Sequence, residues 1–438
     1  MSYRFYGGVH PSGFKTLTND RPVKKTFIPK KVVLPLSQHT GVPAEPVVGL
    51  GEMVKVGQLI AKQSGFISAS LHASIGGKVS AIAYSPTPTH PRALSIKIEA
   101  SDNENQEFQG QFRTDISAFS KDELIAAIRD AGIVGLGGAA FPTYVKLSPP
   151  KGKTIDTVIV NGAECEPYLT CDHRIMVEKS KEVLKGLEII TKILGAKEAY
   201  IAIEDNKLSA AYAMEQALKA FSFQLSASSV KIIILKTKYP QGAEKQIIKA
   251  VVNRTVPAGG LPMDVGCVVQ SVGTVFAIYE AIYLGKPLIE RVVTLTGSAI
   301  KEPMNISVKI GTLISDLVSA AGGLKCEAAK VIAGGPMMGI SQYMFDVPLL
   351  KGTSGVLFIS DEDCREEPES VCIRCGACIS ACPMELVPTQ LMYMVKNENF
   401  AEARDKGVAN CYECGACAYD CPAKIPLVDY MKFGKAKI

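Results

Sequence analysis

Eight of the thirteen cysteines in this 438-residue chain fall in one stretch, as two copies of one pattern. CIRCGACISACP carries Cys372, Cys375, Cys378 and Cys382; CYECGACAYDCP carries Cys411, Cys414, Cys417 and Cys421. Each copy reads C-x2-C-x2-C-x3-C-P, a spacing that wraps three thiolates around one face of an iron–sulfur cubane. The fourth cysteine is followed by Pro383 or Pro422, which ends its own loop and turns the thiolate towards the other copy. The spacing predicts two [4Fe–4S] clusters with crossed ligation. One takes Cys372, Cys375, Cys378 and Cys421; the other takes Cys411, Cys414, Cys417 and Cys382. Thiolates also suit zinc, but zinc ribbons use separated C-x2-C pairs, so structural zinc is the plainer alternative reading. The other five, Cys165, Cys171, Cys267, Cys326 and Cys364, share no ligand spacing and read as small buried hydrophobes.

A chain of this length is expected to divide into several domains. Its fold class reads as multidomain α/β. The segment 1–110 holds short β-branched runs between turn residues, KKVVLPL, EPVVGL, GQLIAKQSG and GKVSAIAY, as in a small β barrel or sandwich. The segment 111–286 opens on SKDELIAAIRDAG, with Ser120 and Glu123 as a capping box. Strands TVIVN, AYIAIED and VKIIIL then alternate with helices MVEKSKEVLKGLEIITKILGA, ended by Gly195, and KLSAAYAMEQALKAF. That alternation predicts a parallel sheet with helices on both faces. The segment 287–365 reads as a small α+β unit with GTLISDLVSAAGG as its helix. The segment 366–438 carries the cysteine repeat and little apolar material, so it is expected to need its metal to make a core.

The net charge is only +5 and the lysines are scattered, so nucleic acid is not expected as a partner. No apolar run approaches the roughly 18 residues that span a bilayer. The start, MSYRFYGGVHPSGFK, lacks the apolar centre of a signal peptide. The chain is expected in the cytosol, or held at a membrane by partners. His10, His39, His72, His90 and His173 form no ligand pair by spacing.

A second feature is GLGGAAFPTYVKL, residues 135–147. Gly135, Gly137 and Gly138 bare the backbone, Pro142 suits a first helical position, and Lys146 follows inside an apolar run. Such a junction can hold an anion, and an ordinary glycine turn is as good a reading of it alone. It matches neither the Walker pattern nor G-x-G-x-x-G directly after a strand. NGAECEPY follows TVIV at the carboxyl edge of the expected sheet, where α/β ligand sites lie. There Asn161, Glu164 and Glu166 can bond a ring, a ribose or a carboxamide, or can line a solvated loop. KYPQGAEKQ, with Glu244 and Lys245, is a further strand-to-helix junction.

GLGGAAFPTYVKL, NGAECEPY, YPQGAEKQ, GGLPMDVG and GGPMMG, in this order and followed by the cysteine repeat, closely resemble the RnfC family of the Rnf complex. That complex is a membrane-bound ferredoxin:NAD oxidoreductase that pumps ions. The middle segment is also similar to the NADH-binding flavoprotein of respiratory complex I. The resemblance implies FMN on Gly135, Gly137, Gly138, Lys146 and Asn161, with Glu164 and Ser271 in the cofactor-binding set. It implies Phe141 on the adenine of NADH, and Glu166 and Glu244 at the nicotinamide end as the catalytic carboxylates. It implies an N-terminal barrel-sandwich-like β domain, a Rossmann-like FMN/NADH domain, a β-grasp (SLBB-like) domain and an α-helical two-cluster ferredoxin domain. The implied partners are NAD(H), the other membrane and soluble subunits, and through them a ferredoxin-type carrier. The implied location is peripheral, at the cytoplasmic face of the membrane. Four residues depart from the complex I pattern. Ala140 replaces the last loop glycine, Ala163 an aspartate that holds flavin, Ala243 the first glutamate of a pair, and Ser271 an asparagine. A looser grip on flavin follows. A flavin-free relay and docking subunit, a soluble cobalamin-reductase-like flavoprotein and a soluble NADH dehydrogenase acting alone are the alternatives.

Overall fold

The computed structural model describes residues 3–25, 27–110, 112–220, 229–364 and 367–438. The expected boundaries at Gln111 and at Arg365–Glu366 lie outside the described residues, as does Phe221 at the end of one expected helix.

The first β-rich segment forms two antiparallel sheets around a shared apolar core. One runs in the order Lys31–Pro35, Ala93–Ala100, Gly77–Ser85, Met53–Val54. The other is Glu45–Pro46, Leu59–Lys62, Leu71–His72. Val32, Leu34, Ile60, Leu71, Ile96 and Ile98 meet between them. Residues 3–25 join neither sheet. They run as an arm across other parts of the chain: Tyr3 N–H bonds Ala250 O, Val9 bridges Tyr239, and Lys24 bridges Ile306.

The central sheet is wholly parallel, in the order Ser229–Leu235, Glu198–Glu204, Thr157–Gly162, Cys267–Ser271. Its inner strands are almost continuously buried, as strands covered on both faces must be. Val158, Val160, Ile201 and Ile203 face the core shared with helices Ser180–Leu194 and Val272–Tyr283. Ile159, Tyr200 and Ala202 face helix Glu244–Val252 on the other side. Gly186 lets the two former helices cross closely, since a Cβ there would lie 2.1 Å from Val275 O.

The capping box of Ser120 and Glu123 forms as expected, before helix Lys121–Asp130. Two elements differ. MVEKSKEVLKGLEIITKILGA is not one helix: Cys171–Glu178 and Ser180–Leu194 break at Lys179, φ −130°. The shorter packs on strand Glu290–Thr296 and helix Leu208–Ala220, the longer mainly on Val272–Tyr283, and one axis cannot serve both. The helix after the glycine loop, Thr143–Lys146, is a single turn with Pro142 just outside it.

The third segment is a five-stranded mixed sheet, ordered Met304–Lys309, Glu290–Thr296, Gly355–Ser360, Ala328–Ala333, Ile340–Gln342. Helix Ile314–Ala320 packs Ile314 and Leu317 against Val293, Leu295 and Phe358. The last segment corrects the expectation of a core-poor fold. Helices Pro388–Lys396 and Leu427–Ala436 pack Leu391, Met392, Val395, Leu427 and Met431 with Ala403 and Val408, and Cys378, Cys417 and Cys421 join them. Of the five unmotivated cysteines, Cys171 and Cys267 are buried, Cys165 and Cys364 half-buried, and Cys326 is exposed, against expectation. No helix among the described residues is long and apolar enough to cross a membrane.

Candidate redox site

The strand order reverses between Thr157–Gly162 and Cys267–Ser271, which lie side by side although the chain visits two other strands in between. The crevice beyond the carboxyl ends of such a pair is where open α/β sheets bind ligands. Asn161 and Ser271, the last polar residues of these strands, are register partners. The glycine loop lies over them: a Cβ on Gly137 would sit 3.5 Å from Ser271 Cβ. Gly137, Gly138 and Ala139 are exposed, and a Cβ on Gly138 would meet nothing within 4 Å. Lys146 donates to Glu244 Oε1 at 2.6 Å and to Val269 O at 3.3 Å. Asn161 Nδ2 donates to Gly242 O at 2.8 Å, which draws the 239–246 loop to the same edge. The structure thus gathers Gly137, Lys146, Asn161, Glu244 and Ser271 at one switch point.

The loop is braced from beneath. Leu136 N–H bonds Thr274 Oγ1 at 2.8 Å, and Arg291 Nη2 donates to Leu136 O at 3.2 Å. Ser271 caps helix Val272–Tyr283 by accepting from Thr274 N–H. Asp172 accepts from Gly273 N–H at 3.0 Å. Burial and the Glu164 charge push its carboxyl up. Arg291 is buried beside it and supplies the opposing charge.

Two expected cofactor or catalytic carboxylates have other partners. Glu164 accepts from Asp172 and His173 N–H at 2.8 and 3.2 Å, capping helix Cys171–Glu178. Glu166 accepts from Met337 and Met338 N–H at 3.0 and 2.9 Å, in the GGPMMG turn of the third segment. Each oxygen keeps a further lone pair, yet both carboxylates already serve backbone donors. Glu244 and Lys146 serve each other and stay part-exposed. Burial pushes the Glu166 carboxyl up to about 7, although the two N–H groups favour its charged form. Its folded value lies above the unfolded 4.5. Its contribution to stability is therefore full below pH 4.5 and is lost as pH rises through about 7. Glu166→Gln should accordingly raise the melting temperature relative to the parent at pH 8. The difference should vanish by about pH 5, where the parent side chain is neutral too. A melting difference that does not change between those two pH values would show that Glu166 is already charged throughout.

The eight cluster cysteines line two cavities. Cys372, Cys375, Cys378 and Cys421 line one, on the exposed side. Cys382, Cys411, Cys414 and Cys417 line the other. The repeat recurs in the backbone: Arg374 and Glu413, then Gly376 and Gly415, all have positive φ at equivalent places. Among the described residues no three His, Cys, Asp or Glu side chains close on a single-ion position. Thiols spread round the walls of a cavity fit a cubane and not one zinc ion. Burial pushes the Cys414 thiol up to about 11, so an iron core must supply the charge that makes a thiolate stable there. The second cavity adjoins the switch point. Tyr412 lines it and feels the Glu244 charge, and Tyr239 donates to Cys414 O at 2.7 Å.

Four family models match the chain in sequence order. They are the RnfC barrel sandwich hybrid domain over residues 3–104, the Nuo51 FMN-binding domain over 128–280, the SLBB domain over 292–341 and the 4Fe-4S dicluster domain over 371–425. The RnfC-type component of the proton-translocating ferredoxin:NAD(+) oxidoreductase complex of Clostridium ljungdahlii is 47% identical, over 100% of this chain and 94% of that one. The chain belongs to the RnfC family. The counterpart in the Na(+)-translocating complex of Acetobacterium woodii is 40% identical, over 99% of this chain and 97% of its own. An NAD+-reducing [NiFe]-hydrogenase structure in the H2-reduced state shares the fold, with TM-score 0.53, 17% identity and coverage of 73% of this chain and 63% of that one.

An RnfC protein with this FMN-binding segment offers a cradle that fits a flat phosphate-bearing cofactor. The loop backbone is bare at Gly137 and Gly138, and Lys146 stands beside it. The Gln241 and Gln270 side-chain nitrogens, next in the chain to Gly242 and Ser271, are buried without a hydrogen-bond partner among the described residues. Sequence reasoning missed Lys15, Asp172, Arg291, Tyr239 and Tyr412. Only Tyr239 had a signal, its place in the YPQGAEKQ motif.

Proposed function

We propose that this chain is the electron-input component of an ion-translocating ferredoxin:NAD(+) oxidoreductase, and that electrons enter at the switch point and leave through the cysteine cavities. Bound FMN supplies the exchange between a hydride and single electrons, and the clusters carry one electron each. The bare backbone of Gly135, Gly137 and Gly138 lets the flavin approach, and Lys146 offsets its negative charge. Glu244, at the first position of its helix and paired with Lys146, is the carboxylate available to the nicotinamide end. Phe141, half-buried at the end of the loop, is assigned to the adenine. Asn161 keeps the 239–246 loop closed over the strand ends. Glu166 is reassigned from substrate contact to tying the NGAECEPY loop to the third domain.

The observation that carries this reading is the adjacency of the switch point to the cavity of Cys382, Cys411, Cys414 and Cys417. Tyr412 and Tyr239 stand between them, so that cavity holds the cluster nearer the flavin. The cavity with exposed Cys375 then faces the next carrier. Other subunits of the complex receive the electrons and pass them to or from a ferredoxin-type protein. The chain is assigned to the cytoplasmic face of the membrane, where NAD(H) is found. The visible spectrum of the iron-loaded chain tests the flavin part. Flavin bands over the iron–sulfur shoulder are expected, and their absence after incubation with FMN would leave a flavin-free relay.

A further inference from the structure

The arm of residues 3–25 is tied at two functional places. Near its start, Gly8 N–H bonds Ala381 O, and Val9 pairs with Tyr239. Gly7 (φ +71°) passes so close to the Cys382–Pro383 turn that a Cβ would lie 2.5 Å from Cys382 O. Further along, Lys15 buries its ammonium in the NGAECEPY loop. Its Nζ donates to Glu164 O at 2.9 Å, Glu166 O at 2.9 Å and Leu169 O at 2.6 Å. All three ammonium protons go to backbone carbonyls, so the bonds set the path of the loop itself. That path needs setting, because Glu164 (φ 42°) and Tyr168 (φ 68°) adopt a left-handed backbone that non-glycine residues resist. The arm adds a stack of Phe14 on Tyr168, centroids 4.6 Å apart, a bond from Tyr168 N–H to Gly13 O, and a Thr18–Thr170 hydroxyl pair at 2.7 Å.

We propose that Lys15 is a positioning residue for the redox site, and that the arm is the strap by which it holds the nucleotide loop in register with the Cys382 turn. The role rests on the reading that the 161–170 loop borders the bound nucleotide. Lys15 touches neither nucleotide nor flavin; it acts through the carbonyls on either side of Glu164 and Glu166. Lys207 performs a smaller service from the opposite side, donating to Ala163 O at 2.6 Å.

Lys15→Met in the flavin- and iron-loaded chain keeps the length of the side chain and removes its three donors. Hydrogen exchange of the 162–170 amides should quicken roughly tenfold, and KM for NADH should rise by about the same factor, the scale of one lost charge-assisted bond. Iron content, both cluster EPR signals and kcat should be retained. Phe14→Ala strips the half-exposed stack and spares the core, so it serves if Lys15→Met does not fold; it should move exchange and KM the same way by a smaller factor. Unchanged loop exchange in the folded variant would overturn the positioning role and leave the nucleotide reading standing. Faster exchange with an unchanged KM would overturn the placement of the nucleotide at this loop, and with it the role given to Lys15.

Discussion

Cys382→Ala is expected to extinguish the same cluster signal as Cys414→Ala, and to leave intact the cluster that Cys375→Ala removes. Sequence order would group Cys382 with Cys372, Cys375 and Cys378. The structure places it on the wall of the cavity lined by Cys411, Cys414 and Cys417, and places Cys421 with the first three. The cause is local: helix Ala377–Ala381 stops at Cys382, whose backbone turns extended (ψ 114°) ahead of Pro383. Losing one of four thiolates should empty that site or convert it to a cluster with one iron fewer. The fold should survive, because Leu391, Met392, Val395, Leu427 and Met431 form a core that does not include Cys382. The reading is electron paramagnetic resonance of each variant after stepwise reduction. If Cys382→Ala and Cys375→Ala abolish the same signal, each motif binds its own cluster and the crossed scheme is wrong.

Gly137→Val should cost the chain its flavin and keep its iron. Gly137 is exposed on the loop, its φ is not among the positive ones, and the first atom of a new side chain would meet Ser271 only at ordinary contact distance. Valine is therefore tolerated by the protein and not by a cofactor lying on the backbone. Bulk on that surface removes close approach as well as contact, so FMN affinity should fall by roughly a hundredfold or more, about 3 kcal/mol at 1.4 kcal/mol per decade. Iron per chain should stay at the parent value, since the cysteine cavities lie in a separate segment. Flavin occupancy equal to the parent would remove the glycine loop from the cofactor site.

What could be read from the sequence was what is local. The cysteine repeat carries its ligand geometry within a dozen residues, and the crossing followed from the prolines after Cys382 and Cys421. The alternation of strand and helix gave the parallel sheet, though not its order, and the order creates the switch point between Asn161 and Ser271. The last segment looked poor in apolar residues because composition was counted over its length; Leu391, Met392 and Val395 lie on one face of a helix, and that spacing was there to be seen. Lys179 breaks a helix without glycine or proline, because two packing partners demand two axes. Lys15 was out of reach for a different reason. Its partners are carbonyls some 150 positions away, and a carbonyl belongs to every residue. The same holds for Glu164 and Glu166, whose side chains looked like ligands and serve backbone N–H groups.

The central claim is that electrons from NADH cross this single chain from flavin to clusters. Anaerobic titration of the flavin- and iron-loaded chain with NADH tests it directly, with the flavin absorbance and the cluster EPR signals followed together. Flavin bleaching accompanied by a cluster signal that Cys414→Ala abolishes is the predicted result. Bleaching with no cluster reduced, although dithionite reduces both, would contradict the path; clusters reduced in a chain free of flavin would contradict the flavin's place in it.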